Sequence, residues 1–546
     1  MKHVQTERSS IMGRKAVADV IKLQRRIFER QRKLIESKEV HKTSGFARYR
    51  NEYRRAVSSY HSEAGFGSLC DAVATSKVTF VSDYHTLRLA QKTLLTLLTA
   101  VQQQVDNICI CTEFINAQHQ VDLNKYLDGR IKEKTFLRRI KYKEQWPYDI
   151  WPNFKPLFTL AKKRGYPVIA IDHDGSLPLR KRDDLAAKII AQTAVRYPEA
   201  LIVVSAGQMH MAPSHLPAKV DLAFIRKGLR SPDAVVIYQN AEEIYWQLAQ
   251  ESKEEVEVVK IGPREYCINN TPPLVQQLSY LHWIQFDEEI IEYTELERTV
   301  RLLIKDLAYF LKLDAGDAPE RVRVLMPGDL DLSDILENAH VDERAKRQII
   351  RQAEAEESVC VPSLELIYLA TLSVNHAAEE AAHYLKHYVS RGFEPSEIRD
   401  LFYFIVLNEA CAFFGSKIIN PKRKADHPGR LRTMVARARE HNKLTEEDLA
   451  ARFTLEHIAQ ERGTSKRKRK LKSASYLADP LVFNAAAHFL GYILGDRMYY
   501  GLTEGIIARE SIRQLFLAPL DKPGDALETY LNLSGQLHEV KIPKRI

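Results

Sequence analysis

Residues 202–213 read IVVSAGQMHMAP, a β-branched run that stops at Gly207 and presents His210 three residues later, ahead of Pro213. β-Branched side chains suit a pleated, buried strand, and glycine accepts the turn by which a chain leaves one. A histidine just beyond a strand's carboxyl end stands where open α/β sheets place their ligand contacts. Alone, His210 is a loop histidine; four similar runs give it neighbours. They are KVTFVS (77–82), NICICT (107–112), PVIAI (167–171) and AVVIY (234–238). Between them lie amphipathic helical patterns such as TLRLAQKTLLTLLTAVQQQV (86–105) and RDDLAAKIIAQTAVRY (182–197). Apolar strands alternating with such helices predict an α/β fold, a mostly parallel sheet flanked by helices.

The 546 residues exceed what one hydrophobic core usually serves, so two or three domains are expected. Apolar residues at helical spacing among Arg, Lys and Glu predict an N-terminal helical hairpin over residues 1–62. The α/β domain follows over 63–289. From 290 to 546 long helical patterns, among them 296–311, 364–389, 398–414 and 480–498, predict a C-terminal all-α domain.

A hydrophobic fraction of 45% is that of a globular protein. The net charge of +9 is modest for this length and partly local, since KRKRK (466–470) supplies five positive charges. That run reads as a solvated loop, and without an aromatic-rich binding motif beside it nucleic acid is not expected as a partner. Cys109 and Cys111 alternate along one strand and share a face, which suits core packing better than a disulfide or zinc knuckle. The first thirty residues are too charged for a signal peptide, and no run approaches transmembrane length. A reducing, cytoplasmic location is the expectation.

The strand ends carry the chemistry. The first strand ends on Asp83-Tyr84-His85, the second on Glu113, the third on Asp172-His173-Asp174 and the fourth on Gly207-Gln208-Met209-His210. In a parallel sheet these ends share one edge, so imidazoles and carboxylates converge there, a donor set suited to a transition metal or an activated water.

On these residues the sequence resembles the ChaN-type haem-binding domain, within the wider group of Tiki proteases and erythromycin esterases. The matching pieces are SDYHTLRLAQ (82–91), CTEFINAQHQVDLNKYLDGRI (111–131), WPYDIWPNFKPLFTLAKKRGYPVIAID (146–172), RDDLAAKI (182–189) and VVSAGQMH (203–210), in the family's order. They span roughly residues 78–238, under half of the chain. The resemblance implies a polar site at the sheet edge in which His85 matches the family's first histidine. Glu113 then matches its glutamate, His210 its second histidine, and Arg182 the arginine after the third strand. It departs where the family has Gly-Glu before the first histidine, since this chain has Ser82-Asp83. Aspartate keeps the charge on a shorter arm, so a ligand or base there is repositioned.

Three functions follow as expectations. In a haem-binding protein Tyr84, His85, Met209 and His210 ligate or line an iron porphyrin and Arg182 meets a propionate. Trp146, Tyr148, Trp151 and Phe154 then supply an apolar wall, although such a cluster also reads as core. In a metal-dependent hydrolase of the Tiki or erythromycin esterase type, His85, Glu113 and His210 hold a divalent transition metal or activate water, with Asp83 or Glu113 as the base. In a non-catalytic interaction protein the site is degenerate and the helical region docks a protein partner or a second copy. Haem or another small molecule is the expected ligand.

The helical region holds a second candidate metal site. In NHAAEEAAHYLKHYV (375–389), His376, Glu380 and His383 fall on one helix face, and Glu380-Ala-Ala-His383 has the spacing of di-iron bundles, repeated in Glu337-Asn-Ala-His340. Glu409 stands inside the apolar VLNEACAFF (406–414), where a carboxylate needs a partner. His488 reads as a core histidine.

Overall fold

The computed structural model describes residues 2–38, 44–146, 149–173, 175–287, 294–326, 332–339, 341–355, 357–371, 373–440, 444–467 and 479–543. The chain divides into two compact units, one formed by Ile27–Ile291 and one by Met1–Arg26 with Glu292–Pro543. Residues 1–62, read as an appended hairpin, form the helices Lys2–Lys38 and Ser44–Ala56 and are divided between the units, the division falling at Arg26.

The first unit is an eight-stranded sheet. Its strands are β1 (Ser62–Ala64), β2 (Val78–Asp83), β3 (Ile108–Asn116), β4 (Val168–Asp172), β5 (Leu201–Gly207), β6 (Ala234–Gln239), β7 (Val258–Gly262) and β8 (Glu265–Ile268). Their order is β1-β7-β8-β6-β2-β5-β3-β4. From β4 through β8 of that order all pairings are parallel, while β7 runs antiparallel to β8 and β1 antiparallel to β7.

Period-two alternation explains why the strands read as continuous apolar runs. Val81, Ile110 and Val203 face one core with Leu94, Leu97, Trp151 and Phe154 of the covering helices. Phe80, Ile202 and Val204 face the other, with Ile190, Phe224 and Ile244. Both faces are buried, so neither needs polar residues. Cys109 and Cys111 are buried free thiols.

The sheet order also makes the site. After β2 the chain crosses to β3 and β4, then returns to lay β5 between β2 and β3. Asp83 pairs with Gly207 across one ladder, and Thr112 with Ser205 across the other. The carboxyl end of β5 is thereby held between those of β2 and β3, at a point where the strand order reverses direction.

The second unit is built mainly of long helices, including Thr294–Leu311, Val374–Ser390, Ile398–Ile419, Glu446–Arg467 and Pro480–Thr503. It is not entirely helical. The three-residue strands β9 (Arg323–Leu325), β10 (Val359–Val361) and β11 (Leu366–Tyr368) form a small sheet, β11 antiparallel to β10 and parallel to β9. Ile398–Ile419 and Pro480–Thr503 approach closely, for a Cβ at Gly495 would lie 2.5 Å from the Ala410 carbonyl oxygen. The expectation that no segment reaches transmembrane length is corrected here: Ile398–Ile419, with a mean hydropathy of 1.4, is long and apolar enough, and 78% of that stretch is buried inside the protein.

Candidate functional site

Asp83 terminates β2, and two residues later His85 turns back over it. His85 Nδ1 donates to Asp83 Oδ2 at 2.6 Å, and Gln91 Nε2 donates to Asp83 Oδ1 at 2.5 Å. A carboxylate only accepts, so the imidazole proton sits on Nδ1. No described residue hydrogen-bonds Nε2, and His85 lines a cavity of about 1470 Å³ over the strand ends. Trp146 meets the His85 ring edge-on at 5.1 Å. Burial opposes charge on His85, yet its bond to Asp83 and the nearby carboxylates raise its pKa above the ordinary 6.5.

Beside it lies a buried ionic network. Glu113, from β3, accepts Arg182 Nη2 on Oε1 at 2.7 Å and the Gly207 amide on Oε2 at 2.5 Å. Arg182 Nη2 also donates to Asp172 Oδ1 at 2.6 Å. His210 Nε2 stands 3.2 Å from Glu113 Oε1, and its Nδ1 donates to Asp183 Oδ1 at 2.5 Å. Asp183 Oδ2 accepts from the Tyr49 hydroxyl at 2.5 Å.

These contacts set the charges. Burial works against an imidazolium at His210, but Glu113 and Asp183 outweigh it and raise its pKa to about 10. Burial likewise opposes a charged Glu113, and His210, His85 and Arg182 together hold that carboxyl well below the usual range. Asp172 moves the other way, because burial and the Glu113 charge exceed the effect of Arg182.

Gly207 needs a different account from a turn. Its φ of −53° and ψ of 143° suit any residue. What it provides is space: a Cβ there would lie 3.3 Å from Glu113 Oε2 and 3.6 Å from both His210 Cδ2 and His85 Nε2. The side chains of Glu113, His210 and His85 converge above that missing methyl group.

The structure therefore brings Asp83, His85, Glu113, Arg182 and His210 together. Tyr84 and Met209 line the same cavity, Tyr84 edge-on to Tyr280 with centroids 6.5 Å apart. Trp151 and Phe154 are core residues, Phe154 stacked 4.1 Å from Phe114, while Trp146 borders the cavity. Tyr148 and Asp174 lie outside the described residues. Sequence reasoning missed Tyr49 and Glu52, on a charged helix with no site signal of its own. It also passed over Asp183, whose only cue was its place beside Arg182 in RDDL.

The donor set does not fit a bare divalent cation. A protonated His210, with both nitrogens directed at carboxylates, offers no lone pair, and both Glu113 oxygens already accept hydrogen bonds. Among the described residues no group of three or more His, Cys, Asp or Glu is arranged to hold a metal. His85 would suit an iron that brings its own macrocycle, because a ligating histidine ordinarily donates its other nitrogen to a carboxylate, as His85 does to Asp83.

In the helical unit, His488 Nδ1 lies 3.0 Å and His383 Nε2 3.7 Å from the Glu409 carboxylate. Glu409 is held at about 2, those histidines overcoming its burial. Glu380 is pushed up by burial and by Glu379 and Glu409, and Glu379 pairs with Arg423 at 2.8 Å. His376 contacts Thr371 Oγ1 at 3.2 Å instead of joining Glu409. This is an internally paired helix face; His340 lies outside the described residues.

Residues 69–178 match the family model described as haem-binding uptake, Tiki superfamily, ChaN. No curated protein and no solved structure matches the chain. The matched segment contains Asp83, His85, Glu113 and Asp172, and ends before Arg182, Gly207 and His210.

Proposed function

We propose that the carboxyl edge of the sheet binds haem, with His85 as the residue that would hold the iron. The observation that carries this reading is the His85–Asp83 pair, which occupies one imidazole nitrogen and leaves the other without a hydrogen bond on a residue that lines a large cavity. A bound iron porphyrin would supply a Lewis-acidic iron that a neutral imidazole can hold. Asp83 fixes the tautomer and ring plane and makes Nε2 a stronger donor. Trp146 and Tyr84 give the cavity aromatic wall, and Arg54 lines it with positive charge suited to a propionate. That role cannot fall to Arg182, which is bonded to Glu113 and Asp172. The match of residues 69–178 to a haem-binding family model supports the same reading. It includes a reducing compartment, the cytoplasm, for which the six free cysteines are the support.

A second reading is favoured by the charged network next to His85, which is unlike the apolar lining usual for a porphyrin. In it His85 is a general base that takes a proton from water, with Glu113, Arg182 and His210 a fixed polar floor. Titration with haemin separates the two. A Soret shift lost in His85→Ala supports haem binding. No shift, together with turnover of a chromogenic ester that is lost in His85→Ala and indifferent to chelators, supports the hydrolase.

A further inference from the structure

The site extends into a helix outside the matched segment. Tyr49 belongs to Ser44–Ala56 and is 2% exposed. Its hydroxyl lies 2.5 Å from Asp183 Oδ2 and 3.1 Å from His210 Nδ1. Asp183 is itself 1% exposed, and among the described residues its only hydrogen-bond donors are Tyr49 and His210. A buried carboxylate with two donors, one of them its own functional partner, depends on the other for its orientation.

Tyr49 is in turn clamped. Its ring stacks on His215 with centroids 3.6 Å apart and planes 7° from parallel. His215 Nδ1 donates to the Met209 carbonyl at 2.6 Å, and its Nε2 bonds Glu52 Oε2 at 2.7 Å. Glu52 comes from the same helix as Tyr49, one turn on, so the helix grips the loop after β5 at two points. Packing alone would be satisfied by phenylalanine; the hydroxyl has a separate purpose.

We propose that Tyr49 is a positioning residue of this site: its hydroxyl orients Asp183, which fixes the His210 imidazole against Glu113 beside His85, while the Glu52–His215 pair holds the tyrosine ring in place. This rests on the strand ends being the ligand site but not on which ligand it takes. Helix Ser44–Ala56 is then part of the site and not a decoration on the α/β unit.

The test reads the imidazole N–H protons by NMR in the full-length protein without ligand. Two short Nδ1–H bonds to carboxylates, at His85 and His210, should each give a far-downfield resonance, assigned through His85→Gln and His210→Gln. In Tyr49→Phe the His210 resonance is expected to shift or broaden while that of His85 stays, and Glu52→Gln should move it less, in the same direction. Haemin affinity in Tyr49→Phe should fall about tenfold, as for loss of a group that orients a ligand's neighbour. An unmoved His210 resonance in both variants overturns the proposal, as does a moved resonance with haemin affinity equal to that of the unaltered protein. If the unaltered protein binds no haemin, the haem reading fails and the NMR result alone decides the role of Tyr49.

Discussion

Asp83 takes the proton-bearing nitrogen of His85, and this one bond decides which nitrogen is left to meet a ligand. Asp83→Asn keeps an acceptor but removes the charge, so haemin affinity measured by visible titration should drop about 10–100-fold with the fold intact. His210 has a different character, since both nitrogens are held by carboxylates and its pKa is about 10. Its folded value lies above the unfolded value near 6.5, so its contribution to stability is complete below pH 6.5 and is lost as pH rises toward 10. Urea unfolding across that window should show falling stability, and His210→Gln should flatten the fall. A slope unchanged by that substitution would remove His210 from the account of stability. The strand-end rule made both histidines legible in the sequence, but not their division of labour. That depended on Asp183 and Tyr49, which reach His210 only through the tertiary fold.

At the scale of elements, β5 does most to assemble the site, entering last between β2 and β3. Ile202 of β5 is fully buried, and Ile202→Ala should cost about 2–5 kcal/mol in denaturant unfolding. Gly207→Ala leaves the backbone comfortable but crowds Glu113 Oε2; about 1–3 kcal/mol is expected, with haemin affinity reduced. An affinity equal to that of the unaltered protein would show that the convergence above Gly207 has no bearing on the ligand. The five strands β2 to β6 were legible because each is a β-branched run buried on both faces. β1, β7 and β8 were not, for Ser62–Ala64 is short and polar, and Val258–Gly262 and Glu265–Ile268 mix charge with apolar residues. The three-residue strands of the small sheet are too short to show any period against the surrounding helices.

For the whole molecule, the chain divides into an α/β unit that carries the cavity and a helical unit with its own buried ion pairs. Helical spacing in the sequence indicated the second unit but could not say that Glu409 would be matched by His488 from a distant helix. Glu379 is buried and the side chain of its partner Arg423 is only 9% exposed, so Arg423→Ala leaves a buried carboxylate without its cation and should cost about 3–5 kcal/mol in unfolding experiments. The central claim concerns the α/β unit and is tested most directly by haemin titration of the full-length protein, His85→Ala and His210→Gln, followed at the Soret band. The expected result is a saturable Soret shift in the unaltered protein, absent in His85→Ala and retained with weaker binding in His210→Gln. A shift that survives in His85→Ala, or no shift in the unaltered protein, would contradict His85 as the residue that holds haem.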